Sequence, residues 1–145
     1  MPLFFFDTSA IVKRYHLEAG SEEVDRIFAE TDSAFAISNI SIAEFTSALT
    51  RKQNNGAISE DDLAHAFSEF SKDIISEFWI IDLERSHINQ SVVLIMKHNI
   101  RTLDSLQLAV LLSIRNSNPT LVASDKALER AASAKGINVI NHEGR

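Results

Sequence analysis

Leu3-Phe4-Phe5-Phe6-Asp7-Thr8-Ser9-Ala10 is the stretch that decides the fold. Four apolar residues run into an acid and two hydroxyls, and the amphipathic segment Ile11-Val12-Lys13-Arg14-Tyr15 follows. The pattern predicts a short buried strand that stops at Asp7, with a helix starting directly after it. A parallel strand covered on both faces reads as an unbroken apolar run, as this one does. Ligands of open α/β sheets bind beyond the carboxyl ends of the strands, which is where Asp7 is expected.

The pattern repeats outward from that stretch. Ser21-Glu22-Glu23 opens a helix with acids in its first turn, as the macrodipole favours. Ala34–Ser38 reads as a second strand, followed by a helix from Ser41 through Glu44 to Lys52. Asn54-Asn55-Gly56 is a turn, and Ser59-Glu60-Asp61-Asp62 starts a helix with Leu63, Phe67, Phe70 and Ile74 at helical spacing. Phe78–Leu83 reads as a third strand. The next helix, from about Glu84 to His98, carries Ile88, Val92, Ile95 and Met96 on one side. Thr102 is read as the cap of a helix that is apolar almost all round, and therefore buried. Thr120–Ala123 and Ile137–Ile140 are read as the last strands, separated by a helix after Asp125. Strands alternating with helices imply a mainly parallel sheet of four to five strands, with helices on both faces.

A chain of 145 residues fits one domain, 1–145, with a sizeable core. Apolar runs are too short for a membrane helix, and the amino terminus lacks a secretory signal. With no cysteine, disulfides and thiolate metal sites are excluded, and a cytoplasmic protein is expected. The net charge of −6 argues against nonspecific nucleic-acid binding through a basic surface. It leaves room for a nucleic-acid substrate if the acids gather around metal ions.

Four acids share a local context. Asp7 and Asp125 follow strands, while Glu44 and Asp104 fall in the first turns of helices. Taken singly, each has a capping explanation. Asp7 and Asp125 suit N-caps, Ser41-Ile42-Ala43-Glu44 matches a capping box, and Asp104 suits the positive end of its helix. Taken together, carboxylates gathered at one sheet edge repel one another unless protons or cations intervene. The natural cation is a hard one, Mg²⁺ or Mn²⁺, held by oxygen ligands. Thr8 is read as a cap, and Ser9 as a cap or a partner of metal-bound water. Asp82 also ends a strand and is read as a plain cap. His16, His65, His87, His98 and His142 show no zinc spacing and are read as surface residues. Lys13, Arg14, Arg51, Lys52, Lys97, Arg101, Lys126 and Arg130 flank the acid-bearing segments, as solvated helix faces or as phosphate contacts.

These segments resemble the PIN-domain ribonucleases, the family of the VapC toxins. Phe6-Asp7-Thr8-Ser9-Ala10 is similar to that family's opening motif, and Ser38 through Leu49 to its second. Leu103–Ala109 around Asp104 and Val122–Leu128 around Asp125 are similar to its third and fourth, and Gly136–Asn141 to its ending. One departure stands out: Ala123 occupies the position where many members carry a hydroxyl. The resemblance implies a PIN-like three-layer α/β/α fold and an endoribonuclease that depends on Mg²⁺ or Mn²⁺. Asp7, Glu44 and Asp104 would hold the main metal, with Asp125 on that metal or a second one. It also implies an RNA substrate, a homodimer, and a small VapB-like antitoxin as partner. A non-catalytic binding module on the same fold is the alternative. A phosphoacceptor receiver would want adjacent acids after the first strand, and a haloacid-dehalogenase-like phosphatase a second Asp where Ser9 stands.

Overall fold

The computed structural model describes residues 1–144. Among these, five strands form one sheet: β1 (Leu3–Phe6), β2 (Ala34–Ser38), β3 (Phe78–Ile81), β4 (Thr120–Ala123) and β5 (Asn138–Asn141). Helices α1 (Thr8–Tyr15) and α2 (Ser21–Phe28) connect β1 to β2. Helices α3 (Ile40–Asn54) and α4 (Glu60–Ser76) lead to β3, and α5 (Arg85–His98) and α6 (Thr102–Ser113) to β4. Helix α7 (Lys126–Ala134) precedes β5. The strand order is β3-β2-β1-β4-β5 and every pairing is parallel. The chain leaves β1 toward β2 on one side, while β4 lies on the other. That reversal of order opens a crevice at the carboxyl ends of β1 and β4.

Alternation along β1 builds both layers, because successive strand side chains point to opposite faces. Leu3 and Phe5 join Leu94, Leu108, Leu111, Leu121 and Leu128 in one buried cluster, the side of α5, α6 and α7. Phe4 and Phe6 join Ile11, Phe35, Phe45 and Phe70 in the other, the side of α1 to α4. Phe5 and Phe6 are both fully buried. Truncating either to alanine is expected to cost about 3–5 kcal/mol.

Several boundaries shift from the sequence reading. β3 ends at Ile81, and the N-cap of α5 is Glu84, so Asp82 is not a cap. It accepts instead from Asn39 Nδ2 at 3.3 Å. Arg101 rather than Thr102 precedes α6. Phe67 is exposed on α4, and Ile88, Val92 and Met96 on α5 face solvent. His87, Ser91 and Leu94 form the buried side of α5. The apolar stripe read from spacing is thus the outer face, because buried polar side chains hold the inner one. No helix among the described residues is long and apolar enough to cross a membrane.

Candidate functional site

β1 and β4 are neighbours, so the acids that follow them emerge side by side. Asp7 leaves β1 with its backbone N–H bonded to the Val122 carbonyl at 3.2 Å. It caps α1, and its Oδ1 accepts from Ala10 N at 3.1 Å and from Ser9 Oγ at 2.6 Å. Asp125 caps α7, with Oδ1 accepting from Leu128 N at 2.9 Å. Both capping readings hold, yet they do not exhaust these residues. A cleft of about 750 Å³ is lined by Asp7, Glu44, Asp104 and Asp125 together, with Arg51, Arg101 and Gln107 around them.

Glu44 reaches the cleft differently from expectation. α3 starts at Ile40 after Asn39, two residues before a Ser41 cap would allow, so the Ser41–Glu44 capping box does not form and Glu44 lies past the first turn. Glu44 Oε1 instead accepts from Thr8 Oγ1 and from Gln107 Nε2, each at 3.0 Å. Gln107 Nε2 also lies 2.8 Å from Ser41 Oγ. Thr8 therefore serves Glu44 and does not cap α1, a role Asp7 already fills. These bonds fasten α1, α3 and α6 to one another beneath the cleft.

Asp104 lies in the first turn of α6 and is bound by Arg101, Nε to Oδ2 at 3.0 Å. Arg101 Nη2 reaches on to Asp125 Oδ2 at 3.2 Å. One guanidinium thus spans two of the acids at the cleft mouth. Asp7, 6% exposed, forms no ion pair among the described residues. Burial pushes its carboxyl up to about 7, despite the Ser9 and Ala10 bonds, and the charges of Asp104 and Glu44 add to the rise. Burial also raises Asp104, with Arg101 opposing it.

The PIN domain model matches residues 4–134. The chain belongs to the PIN domain family. Ribonuclease VapC45 of Mycobacterium tuberculosis (strain CDC 1551 / Oshkosh) is 27% identical over 143 residues, spanning 96% of this chain and 95% of that one. Among solved structures, VapBC2 from Rickettsia felis bound to a DNA fragment from their promoter superposes with TM-score 0.67 at 17% identity. That match covers 96% of this chain and 98% of the other. A toxin–antitoxin complex from Klebsiella pneumoniae matches with TM-score 0.65 at 17% identity, covering 96% and 97%. At such identities the structural likeness speaks to the fold.

This PIN domain places two polar residues at the site that sequence reasoning passed over. Gln107 is a lone amide in the apolar run of α6, three residues after Asp104, and that isolation was its signal. It is buried, and its Oε1 has no hydrogen-bond partner among the described residues. His142, expected at the surface, is buried, with Nε2 3.2 Å from Ser9 Oγ. No spacing rule pointed to it, because its partners lie 133 residues away. His87 is also buried rather than exposed, and its Nδ1 accepts from Glu84 N at 2.9 Å, which closes the cap of α5.

The donors of this PIN domain fit a hard divalent ion: four carboxyls and several hydroxyls, with no sulfur. Four carboxyls face two guanidiniums in the cleft lining, which leaves negative charge over. In the present side-chain positions, the described residues include no group of three acids, histidines or cysteines placed to hold one ion together. Glu44 is turned to Thr8 and Gln107, and Asp104 and Asp125 to Arg101.

Proposed function

We propose that this chain, residues 1–145 acting as one unit, is a metal-dependent endoribonuclease that hydrolyses RNA phosphodiester bonds. The observation that carries the reading is the meeting of Asp7, Glu44, Asp104 and Asp125, from four separate segments, in one cleft. Asp7, Glu44 and Asp104 would hold Mg²⁺, for which Mn²⁺ substitutes, and Asp125 would hold the same ion or a second. When bound, such an ion supplies Lewis acidity toward water and phosphate oxygens. Thr8 and Gln107 orient Glu44, while Ser9 orients Asp7. Arg51 and Arg101, on the cleft lining, suit backbone phosphates, which position a nucleic acid without reading its sequence.

The relatives' names and the toxin–antitoxin structures support a role as the toxin of such a pair, acting in the cytoplasm. A groove lined by Ile42, Ala43, Thr46, Ser47, Arg51 and Phe67 adjoins the cleft, sharing Ser47 and Arg51 with it. A small antitoxin lying in that groove would reach the acids. The exposed apolar face of α5 supports a homodimer.

The test is incubation of the purified chain with structured RNAs in Mg²⁺, Mn²⁺ or EDTA, beside Asp7→Asn. Cleavage that needs the ion and is lost in Asp7→Asn is the expected result. A fully active Asp7→Asn protein would overturn the reading. A catalytically inactive binding module is the second reading, and the Arg101 bridge across two acids favours it. Mn²⁺ raising the melting temperature without cleavage of any RNA would select it.

A further inference from the structure

Ser9 stands between an acid and an imidazole. Its Oγ lies 2.6 Å from Asp7 Oδ1 and 3.2 Å from His142 Nε2. A hydroxyl has one proton to give, and the short contact to a carboxylate takes it. With Asp7 ionised, as a metal ligand is, His142 Nε2 then donates to Ser9 and so carries a proton. The imidazole sits in a built seat. It is 2% exposed, and its backbone N–H is bonded to the Ala123 carbonyl at 3.1 Å, at the end of β4. On its other side Gly20 turns with φ +96°, and a Cβ there would lie 2.7 Å from His142 Nδ1 and 3.0 Å from the His142 carbonyl oxygen. The sheet edge on one side and the α1–α2 connection on the other leave the ring little room to turn.

We infer that His142 is a positioning residue for Asp7: its Nε2–H bond to Ser9 aims the Ser9 hydroxyl at Oδ1 and fixes the carboxylate for a divalent ion. Ser9 and Ala10 both bond to Oδ1, so Oδ2 is the oxygen left for the metal. Outer partners of this kind orient metal ligands, and losing one costs about 10–100-fold in affinity. The inference rests on the reading of Asp7 as a metal ligand.

Mn²⁺ affinity measured by electron paramagnetic resonance tests it, together with the imidazole ¹⁵N spectrum of the metal-free protein. Wild type should bind, and Asp7→Asn should lose binding. His142→Leu should bind about tenfold more weakly, and His142→Gln, whose amide keeps a donor, should restore most of the loss. In a Ser9→Ala background His142→Leu should cause no further loss, the non-additivity expected of one chain of contacts. The spectrum should show the proton on Nε2.

A merely structural histidine would give equal losses in the Leu and Gln variants, or additive ones with Ser9→Ala, and either overturns the inference. Unchanged affinity in His142→Leu overturns it alone and leaves the metal reading intact. Wild type that binds no Mn²⁺ overturns both. Should His142→Leu fail to fold, the Gln variant and the spectrum still decide, because a proton found on Nδ1 alone is incompatible with the relay.

Discussion

Arg101 Nε lies 3.0 Å from Asp104 Oδ2, and the same guanidinium continues to Asp125. The side chain is 76% exposed, so the bridge contributes little to stability, about 0–1 kcal/mol. Its weight falls on the site, where a protein cation stands against two acids proposed to hold a metal. Arg101→Gln should therefore leave the unfolding free energy within about 1 kcal/mol of wild type and tighten Mn²⁺ binding several-fold. Calorimetric titration with parallel thermal melts checks both. Weaker Mn²⁺ binding in the variant would mean that Arg101 holds the acids in place rather than competing for them.

Asp7 makes stability depend on pH in a stated direction. Its carboxyl is raised from 3.8 to about 7, chiefly by burial. Between those values the native state keeps a proton that the unfolded chain gives up, so stability falls as pH rises through the window. The loss is of the order of 2–4 kcal/mol across it. Metal-free protein should melt at a lower temperature at pH 7 than at pH 5. Asp7→Asn should flatten that slope and be at least as stable as wild type at pH 7. Added Mn²⁺ should raise the melting temperature more at pH 7 than at pH 5.

Gln107 links Glu44 and Ser41 from inside α6. Gln107→Leu preserves helix and bulk but takes one of two donors from the buried Ser41 hydroxyl and from the Glu44 carboxylate, leaving Thr8 as the other. The expected cost is about 1–3 kcal/mol in denaturant unfolding, together with a loss of RNA cleavage larger than the stability change explains. Retained activity in a folded Gln107→Leu protein would show that Thr8 alone suffices to orient Glu44.

Gly20 is the second wall of the His142 seat. Gly20→Ala meets both a φ of +96° and the 2.7 Å approach to Nδ1. It should destabilise by about 1–3 kcal/mol and weaken Mn²⁺ binding along with the histidine variants. Gly56, with φ +78° and nothing within 4 Å of an added Cβ, is the control. Gly56→Ala should carry the backbone cost without touching the metal.

The outer face of α5 carries Val92 at 52% exposure and Met96 at 75%. Val92→Asp should leave folding intact, since the side chain is not in the core. Sedimentation at several concentrations should show a dimer in wild type and a monomer in the variant if this face joins two copies.

Much of the fold was legible because β1 announces itself. Leu3 to Phe6 is apolar on both faces, and only a covered parallel strand requires that. Three of the four acids stand where they were expected, Asp7 and Asp125 after strands and Asp104 in a helix first turn, whereas Glu44 lies past the first turn of α3, because that helix begins at Ile40. What stayed hidden were partners fixed by tertiary approach. His142 and Ser9 are 133 residues apart, and Gln107 and Ser41 are 66 apart, so no local rule pairs them. Helix starts misled in the same way. Ser41-x-x-Glu44 satisfies a capping pattern, but contacts with Thr8 and Gln107 claim Glu44 first. On α5 the hydrophobic spacing grouped residues on one side without saying which way that side faces; Ile88, Val92 and Met96 face outward, and His87, Ser91 and Leu94 hold the inner side.

The placement of β4 beside β1 has a consequence for synthesis. Translation delivers Asp7 before β4 and the Asp125 that follows it, and His142 only after β5. A partly made chain on the ribosome therefore has Asp7 without its sheet neighbour. If the four acids act together, the proposed RNA cleavage has to wait until β4 pairs with β1 and brings Asp125 beside Asp7.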